Sequence, residues 1–137
     1  MPDRDAYSHY KETQIMTASQ GKLIVLMYEG AIKFIESAAN SLDAKKLDVV
    51  NNNLIKAQDI ITELAISINF EAGEMANNMY NLYMYFNKNL LEANIKKDKA
   101  MMLEVRDMLS SLLEAWKKIA DKSGDSPVRS GGVNIAG

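Results

Sequence analysis

The sequence has no cysteine and one histidine, His9. The first absence removes a disulfide framework, thiolate metal ligands and a thiol nucleophile. The second removes the paired Glu-x-x-His motifs that a di-metal helical bundle requires. A Gly-rich phosphate loop is also missing, as is a Ser/His/Asp set with a positioned base. The acids Glu29, Glu36, Glu63, Glu92 and Glu104 fall mostly on polar helical faces, where solvation accounts for them. No catalytic residue, metal or cofactor is therefore assigned, and the chain does not read as an enzyme. Long apolar runs are absent too. The longest are a few residues, against the roughly 20 that span a bilayer, so no membrane insertion is expected. The opening "MPDRDAYSHYKETQ" lacks the apolar stretch of a secretory signal. A net charge of −2 with no basic stripe leaves no footprint for nucleic acid. These readings together place the protein in the cytoplasm.

Proline is confined to Pro2 and Pro127, so everything between is free to be helical. The chain has 137 residues, 47% apolar and 25% charged, enough for one core. Apolar residues recur at three- and four-residue spacing, and no stretch alternates with period two. Four helices are expected, over about 19–42, 47–68, 71–96 and 98–120. "TASQ" at 17–20 reads as a capping box, and Asp98 as the cap of the fourth helix. The breaks between them are short, which makes successive helices antiparallel. The fold class is all-α: an antiparallel up-and-down four-helix bundle over 17–120. It is flanked by a flexible N-terminal segment, 1–16, and a flexible tail, 121–137, rich in Gly and Ser.

The fourth helix carries one apolar stripe, with Met101, Met102, Val105, Met108, Leu109, Leu112, Leu113, Trp116 and Ile119 within roughly 140° of arc and only Leu103 off it. The third is different. In "NNMYNLYMYFNKNLLEANI", 77–95, the apolar residues sweep an arc of about 200°, where a surface helix needs roughly 100°. Tyr85 stands outside even that arc. On the second helix Ile55 and Ile66 are turned away from the stripe formed by Val49, Val50, Leu54, Ile60, Ile61, Leu64 and Ile68. Packing against two bundle neighbours widens a stripe by itself, and single exposed isoleucines are ordinary. The surplus surface is accounted for equally by such packing and by a partner groove, whose residues would be Ile55, Ile66, Met79, Leu82, Tyr83 and Tyr85. Tyrosine suits such a surface because its ring buries well while its hydroxyl tolerates water. Methionine suits it by adapting to partner shape, although any one of Met75, Met79 and Met84 is more readily a core filler. Gly30, between Leu26 and Phe34 on the first helix, opens a notch that Tyr7 or Tyr10 of the N-terminal segment is expected to fill.

The chain resembles the flagellin-specific export chaperone (FliS) family. The resemblance runs from about Ala6 to Ala120 and is carried by a series of short matches in family order. They are "AY" at 6–7, "MTAS" and "KLIVLMYEGAI" within 16–32, "KAQDIITEL" at 56–64 and "MANNMYNLYMYF" at 75–86. "LLEAN" at 90–94, "EVRDMLSSL" at 104–112 and "EAW" at 114–116 complete it. Gln20 stands where the family often has proline, and Gly73 is single where it often has paired glycines. The resemblance implies a cytoplasmic bundle that binds the C-terminal segment of flagellin in apolar grooves. Binding would stop premature polymerisation and aid delivery to the flagellar type III export gate. It also implies that the N-terminal segment, with Tyr7 and Tyr10, occupies the groove or contacts the gate. A monomer or weak homodimer is expected. The alternative is a structural or adaptor bundle that self-associates through the same surface, with no flagellin role.

Overall fold

In a computed structural model the described residues are 20–124, with side chains described to 119. Four helices occupy them: α1 (Gln20–Asp43), α2 (Leu47–Ile66), α3 (Glu74–Lys96) and α4 (Lys99–Gly124), with a 3-10 turn at Phe70–Ala72. The expected capping box at 17–20 lies largely outside the described residues, as do Tyr7, Tyr10 and His9. α2 stops two residues short of the expected 68, and α3 starts at Glu74 rather than 71 because the 3-10 turn takes up the chain there. α4 runs on to Gly124, past the expected 120.

The connections follow from local chemistry. α1 ends when Lys45 enters the left-handed region at φ 61°, and the Lys45 and Lys46 amides donate back to the carbonyls of Leu42 and Ser41, both at 2.9 Å. α3 ends in the same way. Lys97 sits at φ 51°, and the Asp98 amide donates to the Ala93 carbonyl at 2.9 Å. Helices usually close this motif with glycine. Here a lysine does so twice, and the Lys97 ammonium also donates to the Asn94 carbonyl at 2.7 Å. Asp98 then caps α4, its Oδ1 accepting from the Met101 amide at 3.2 Å, as its position predicts. Between α2 and α3, Asn69 accepts from the Glu71 amide at 3.0 Å. Gly73 follows at φ 85°, a conformation that disfavours any side chain.

Residues 27–111 form one compact unit, and the chain on either side, described over 20–26 and 112–124, forms a second. Within 27–111 the inter-helix contacts fix direction. Asp43 pairs with Lys99 at 2.7 Å and Glu36 with Arg106 at 3.0 Å, so α1 falls as α4 rises. Gly30 meets Ile60, and the Phe34 ring meets the Lys56 ammonium, which makes α1 antiparallel to α2. Asn51 pairs with Asn94 and Gln58 with the Asn87 carbonyl, so α2 is antiparallel to α3. Tyr28 touches Tyr83 across the diagonal. This is the expected antiparallel four-helix bundle.

Its core holds Tyr28, Ile35, Val50, Leu54, Ile61, Phe86, Leu90, Met102, Val105 and Leu109. Ala31, Ala38, Ala57 and Ala93 are buried among them, and their small side chains let the helix backbones approach. In the second unit Leu23, Ile24 and Val25 of α1 are half-buried, and Leu26 is exposed. On α4 Leu113 is buried and Trp116 half-buried, while Ile119 is 50% exposed, so the expected stripe frays at its C-terminal end.

Gly30 does open a notch, but it faces α2. A Cβ there would lie 3.3 Å from the Ile60 Cδ1. Ile60 therefore packs beside this notch, and Tyr7 and Tyr10, the residues expected to fill it, lie outside the described residues.

Candidate partner-binding groove

The seam between α2 and α3 is polar. Asn94 Nδ2 donates to Asn51 Oδ1 at 2.8 Å, Gln58 Nε2 to the Asn87 carbonyl at 3.3 Å, and Asn87 Nδ2 to Thr62 Oγ1 at 3.0 Å. Asn87 Oδ1 is buried and has no hydrogen-bond partner among the described residues. At about 100° per residue, the flank of α2 that carries Asn51, Gln58 and Thr62 continues outward to Ile55 and Ile66. The flank of α3 that carries Asn87 and Asn94 continues outward to Tyr80, Met84, Leu91 and Ile95.

Large apolar side chains stand on both flanks. Ile66 is 72% exposed, Ile95 75%, and Ile55, Tyr80 and Leu91 are exposed as well. Their spacing matches across the seam. Ile55 and Ile66 are eleven residues apart, as are Tyr80 and Leu91. The antiparallel register of the seam bonds sets Ile66 level with Tyr80 and Ile55 level with Leu91. Two apolar patches result, roughly 16 Å apart at about 1.5 Å per residue. Phe70 extends the first patch, its ring 5.6 Å from that of Tyr80 in an edge-on arrangement. Between the patches lie the half-buried Met84 and the Thr62–Asn87 pair. The result is a groove with apolar ends and a polar floor.

The six residues expected to line a groove divide among different surfaces. Ile55 and Ile66 stand on the α2 rim together. Tyr83 belongs to the core: it is 3% exposed, and its hydroxyl lies 2.8 Å from that of Tyr28. Burial, with Tyr28 beside it, pushes its phenol well above the usual tyrosine range. Leu82 is half-buried on the flank of α3 turned away from α2, and Met79 is half-buried in line with the core residues Phe86 and Leu90. Tyr85 is exposed on the outermost crest, its ring 6.2 Å from that of Phe86. Tyr80, Leu91 and Ile95 are the rim residues that the sequence reading passed over, because they fall inside the wide apolar arc of α3. The repeated eleven-residue interval was the signal that could have found them.

Among the described residues no helix is long and apolar enough to cross a membrane. No group of three or more His, Cys, Asp or Glu side chains could hold a metal ion there.

The protein is thus an all-α antiparallel bundle whose polar α2–α3 seam is flanked by exposed apolar side chains. Comparison with known proteins narrows this class. The family model described as flagellar protein FliS matches residues 3–123. A curated relative from Bacillus subtilis (strain 168), named flagellar secretion chaperone FliS, is 34% identical over 133 residues, covering 97% of this chain and 99% of its own. The protein of that name from Salmonella typhimurium is 34% identical over 114 residues, covering 82% and 84%. The one from Escherichia coli K12 is 28% identical over 109 residues, covering 78% and 80%. The chain belongs to the FliS family.

Proposed function

We propose that this protein is a cytoplasmic chaperone that takes the C-terminal segment of flagellin into the α2–α3 groove. Held there, the segment is kept from polymerising before export and is carried to the flagellar type III export gate. The carrying observation is the matched pair of exposed rims, Ile55 and Ile66 against Tyr80 and Leu91. Family membership supplies the occupant, since the relatives carry the name flagellar secretion chaperone. The rims suit an amphipathic helix laid lengthwise, which buries its apolar face between them. Each large apolar side chain fully removed from water contributes roughly 1.5 to 3 kcal/mol. A disordered segment loses chain entropy as it orders, so several such contacts are needed to leave a net affinity. Two patches joined along three helical turns provide them, where one pocket would not. By the same family reading, residues 1–16, with Tyr7 and Tyr10, serve the gate or the empty groove.

Calorimetric titration with a flagellin C-terminal peptide tests the reading. The expected result is saturable binding with a negative heat-capacity change. Ile55→Lys with Ile66→Lys places two cations in the desolvated contact, so the complex weakens a hundredfold or more. The same variant melts within a few degrees of the parent, because both side chains are exposed. A stable double variant with parental affinity would move the groove elsewhere. An obligate dimer in sedimentation, with these side chains at its interface, would favour the self-associating adaptor.

A further inference from the structure

The apolar part of the groove is nearly two-fold symmetric. Each end offers one isoleucine from α2 and one large side chain from α3, Ile55 with Leu91 and Ile66 with Tyr80, and each is extended by one more, Ile95 at the first and Phe70 at the second. Apolar contacts alone therefore hold a helix about equally well in either direction. A half-turn about an axis standing on the groove floor exchanges the two ends, and it exchanges the two rims as well. Whatever differs between the rims is what distinguishes the two directions.

The rims differ in charge. Gln58 and Asn87 are bonded across the seam, and the next residue on each helix, Asp59 and Lys88, is exposed at the same height. Asp59 lies on the α2 crest with Asp48 and Glu63 before and after it. The nearest base of α2, Lys56, is turned to the opposite flank, where it stacks 5.5 Å over the Phe34 ring of α1. On the α3 crest Glu92 is ion-paired to Lys96 at 2.8 Å, and Lys96 with, to a lesser degree, Lys88 holds its carboxyl below the usual range. Lys88 thus gives the middle of the α3 rim a positive character facing the acidic rim of α2.

We propose that Asp59 and Lys88 set the direction in which a bound helix lies, an inference that rests on the groove reading above. The helix they fit carries basic side chains on the flank that meets α2 and acidic ones on the flank that meets α3. Its apolar stripe has anchors about eleven residues apart. Reversing such a helix sets acid against Asp59 and base against Lys88. Rim charges contribute modestly to affinity but act on orientation and encounter.

The absence of cysteine makes the test direct. Ser67→Cys, beside Ile66, provides a unique attachment point for a fluorophore at one end of the groove. A flagellin C-terminal peptide carrying a quencher at its N-terminus, or in a second sample at its C-terminus, reports which end lies near. In the parent one sample quenches strongly and the other weakly. Exchanging the charges, Asp59→Lys with Lys88→Asp, shifts quenching toward the other sample. It also lowers affinity three- to tenfold at low ionic strength, and the difference shrinks as salt is added. Equal quenching from both peptide ends in the parent, or a charge exchange that moves neither direction nor affinity, would overturn the inference. If binding in that second case is still abolished by Ile55→Lys with Ile66→Lys, the groove reading survives alone. A parent that fails to bind the peptide overturns both.

Discussion

The hydroxyls of Tyr28 and Tyr83 meet at 2.8 Å across the diagonal of the bundle, with their rings edge-on at 6.4 Å. Both residues are buried, and one hydrogen bond is shared between two polar groups that the core would otherwise exclude. Tyr83→Phe should cost about 1 kcal/mol in urea unfolding. Tyr28→Phe with Tyr83→Phe should cost less than the sum of the single changes, because the bond between the two hydroxyls can be lost only once.

The same pair gives the bundle an alkaline limit. Desolvation first, and then Tyr28, raises the Tyr83 phenol above the ordinary tyrosine range in the folded state. The unfolded chain releases this proton near the ordinary tyrosine value of about 10. Above that pH the unfolded state binds fewer protons than the folded one, so stability falls as pH rises. The contribution is complete below pH ~10 and declines above it. Melts between pH 8 and 11 should show this decline, and it should be smaller in Tyr83→Phe. Identical alkaline slopes would show that Tyr83 is not the responsible group.

Gly30 sits 3.3 Å, measured from an added Cβ, from a terminal methyl of Ile60. A methyl at the tip of a half-buried side chain can rotate aside. Gly30→Ala should therefore stabilise the protein by up to about 1 kcal/mol through the helix backbone. Gly30→Leu drives a longer chain into α2 and should destabilise by about 1 to 3 kcal/mol. Ile60→Ala in the Gly30→Leu background should recover part of that loss. Thermal melts of the four proteins decide it, and a neutral Gly30→Leu would show that α2 does not pack there.

The helices were legible because local signals agree with the tertiary result. Proline is absent between 2 and 127, apolar residues keep a helical period, and Asp98 makes the cap that its type and place suggest. The side of the bundle that each surplus residue faces was not legible. Periodicity gives the width of an apolar arc and not which neighbour covers which edge. Tyr83 and Tyr80 differ by less than a turn on α3. One is sealed against Tyr28, and the other stands on the rim beside Phe70. Gly30 shows the same limit, since a notch in sequence does not name its filler. What separates these cases is the seam register, set by Asn51, Gln58, Asn87 and Asn94, which no single-helix pattern contains.

Asn87 Oδ1 is buried without a partner among the described residues, while its Nδ2 donates to Thr62. Removing one member of a polar pair costs more than replacing both by apolar groups of similar shape. Thr62→Val alone should lower stability by about 1 kcal/mol. Adding Asn87→Leu should restore it to the parental value or above, since the orphaned acceptor leaves with the side chain. The Gln58 contact survives in both variants because it uses the Asn87 backbone carbonyl. Two losses that simply add would mean that the acceptor finds water in solution.

The two flanks of α3 should separate cleanly in a binding assay. Tyr80 and Leu91 stand on the rim shared with α2, Leu82 is half-buried on the other flank, and Met79 is half-buried in line with the core residues Phe86 and Leu90. Leu91→Lys changes an exposed position, so folding should move by no more than about 0.5 kcal/mol. Tyr80→Lys also gives up the edge-on contact with Phe70 and should cost about 1 kcal/mol. Either change brings a cation to a patch that the bound helix would desolvate, and each should weaken a flagellin C-terminal peptide at least tenfold. Met79→Ala and Leu82→Ala act in the opposite sense. They remove partly buried apolar contacts, so they should cost about 1 kcal/mol or more of stability with little effect on affinity. Calorimetry read beside urea melts distinguishes the two patterns. If Leu82→Ala weakened the peptide while Leu91→Lys left it untouched, the bound helix would lie on the far flank of α3, and Ile55 and Ile66 would be ordinary exposed residues.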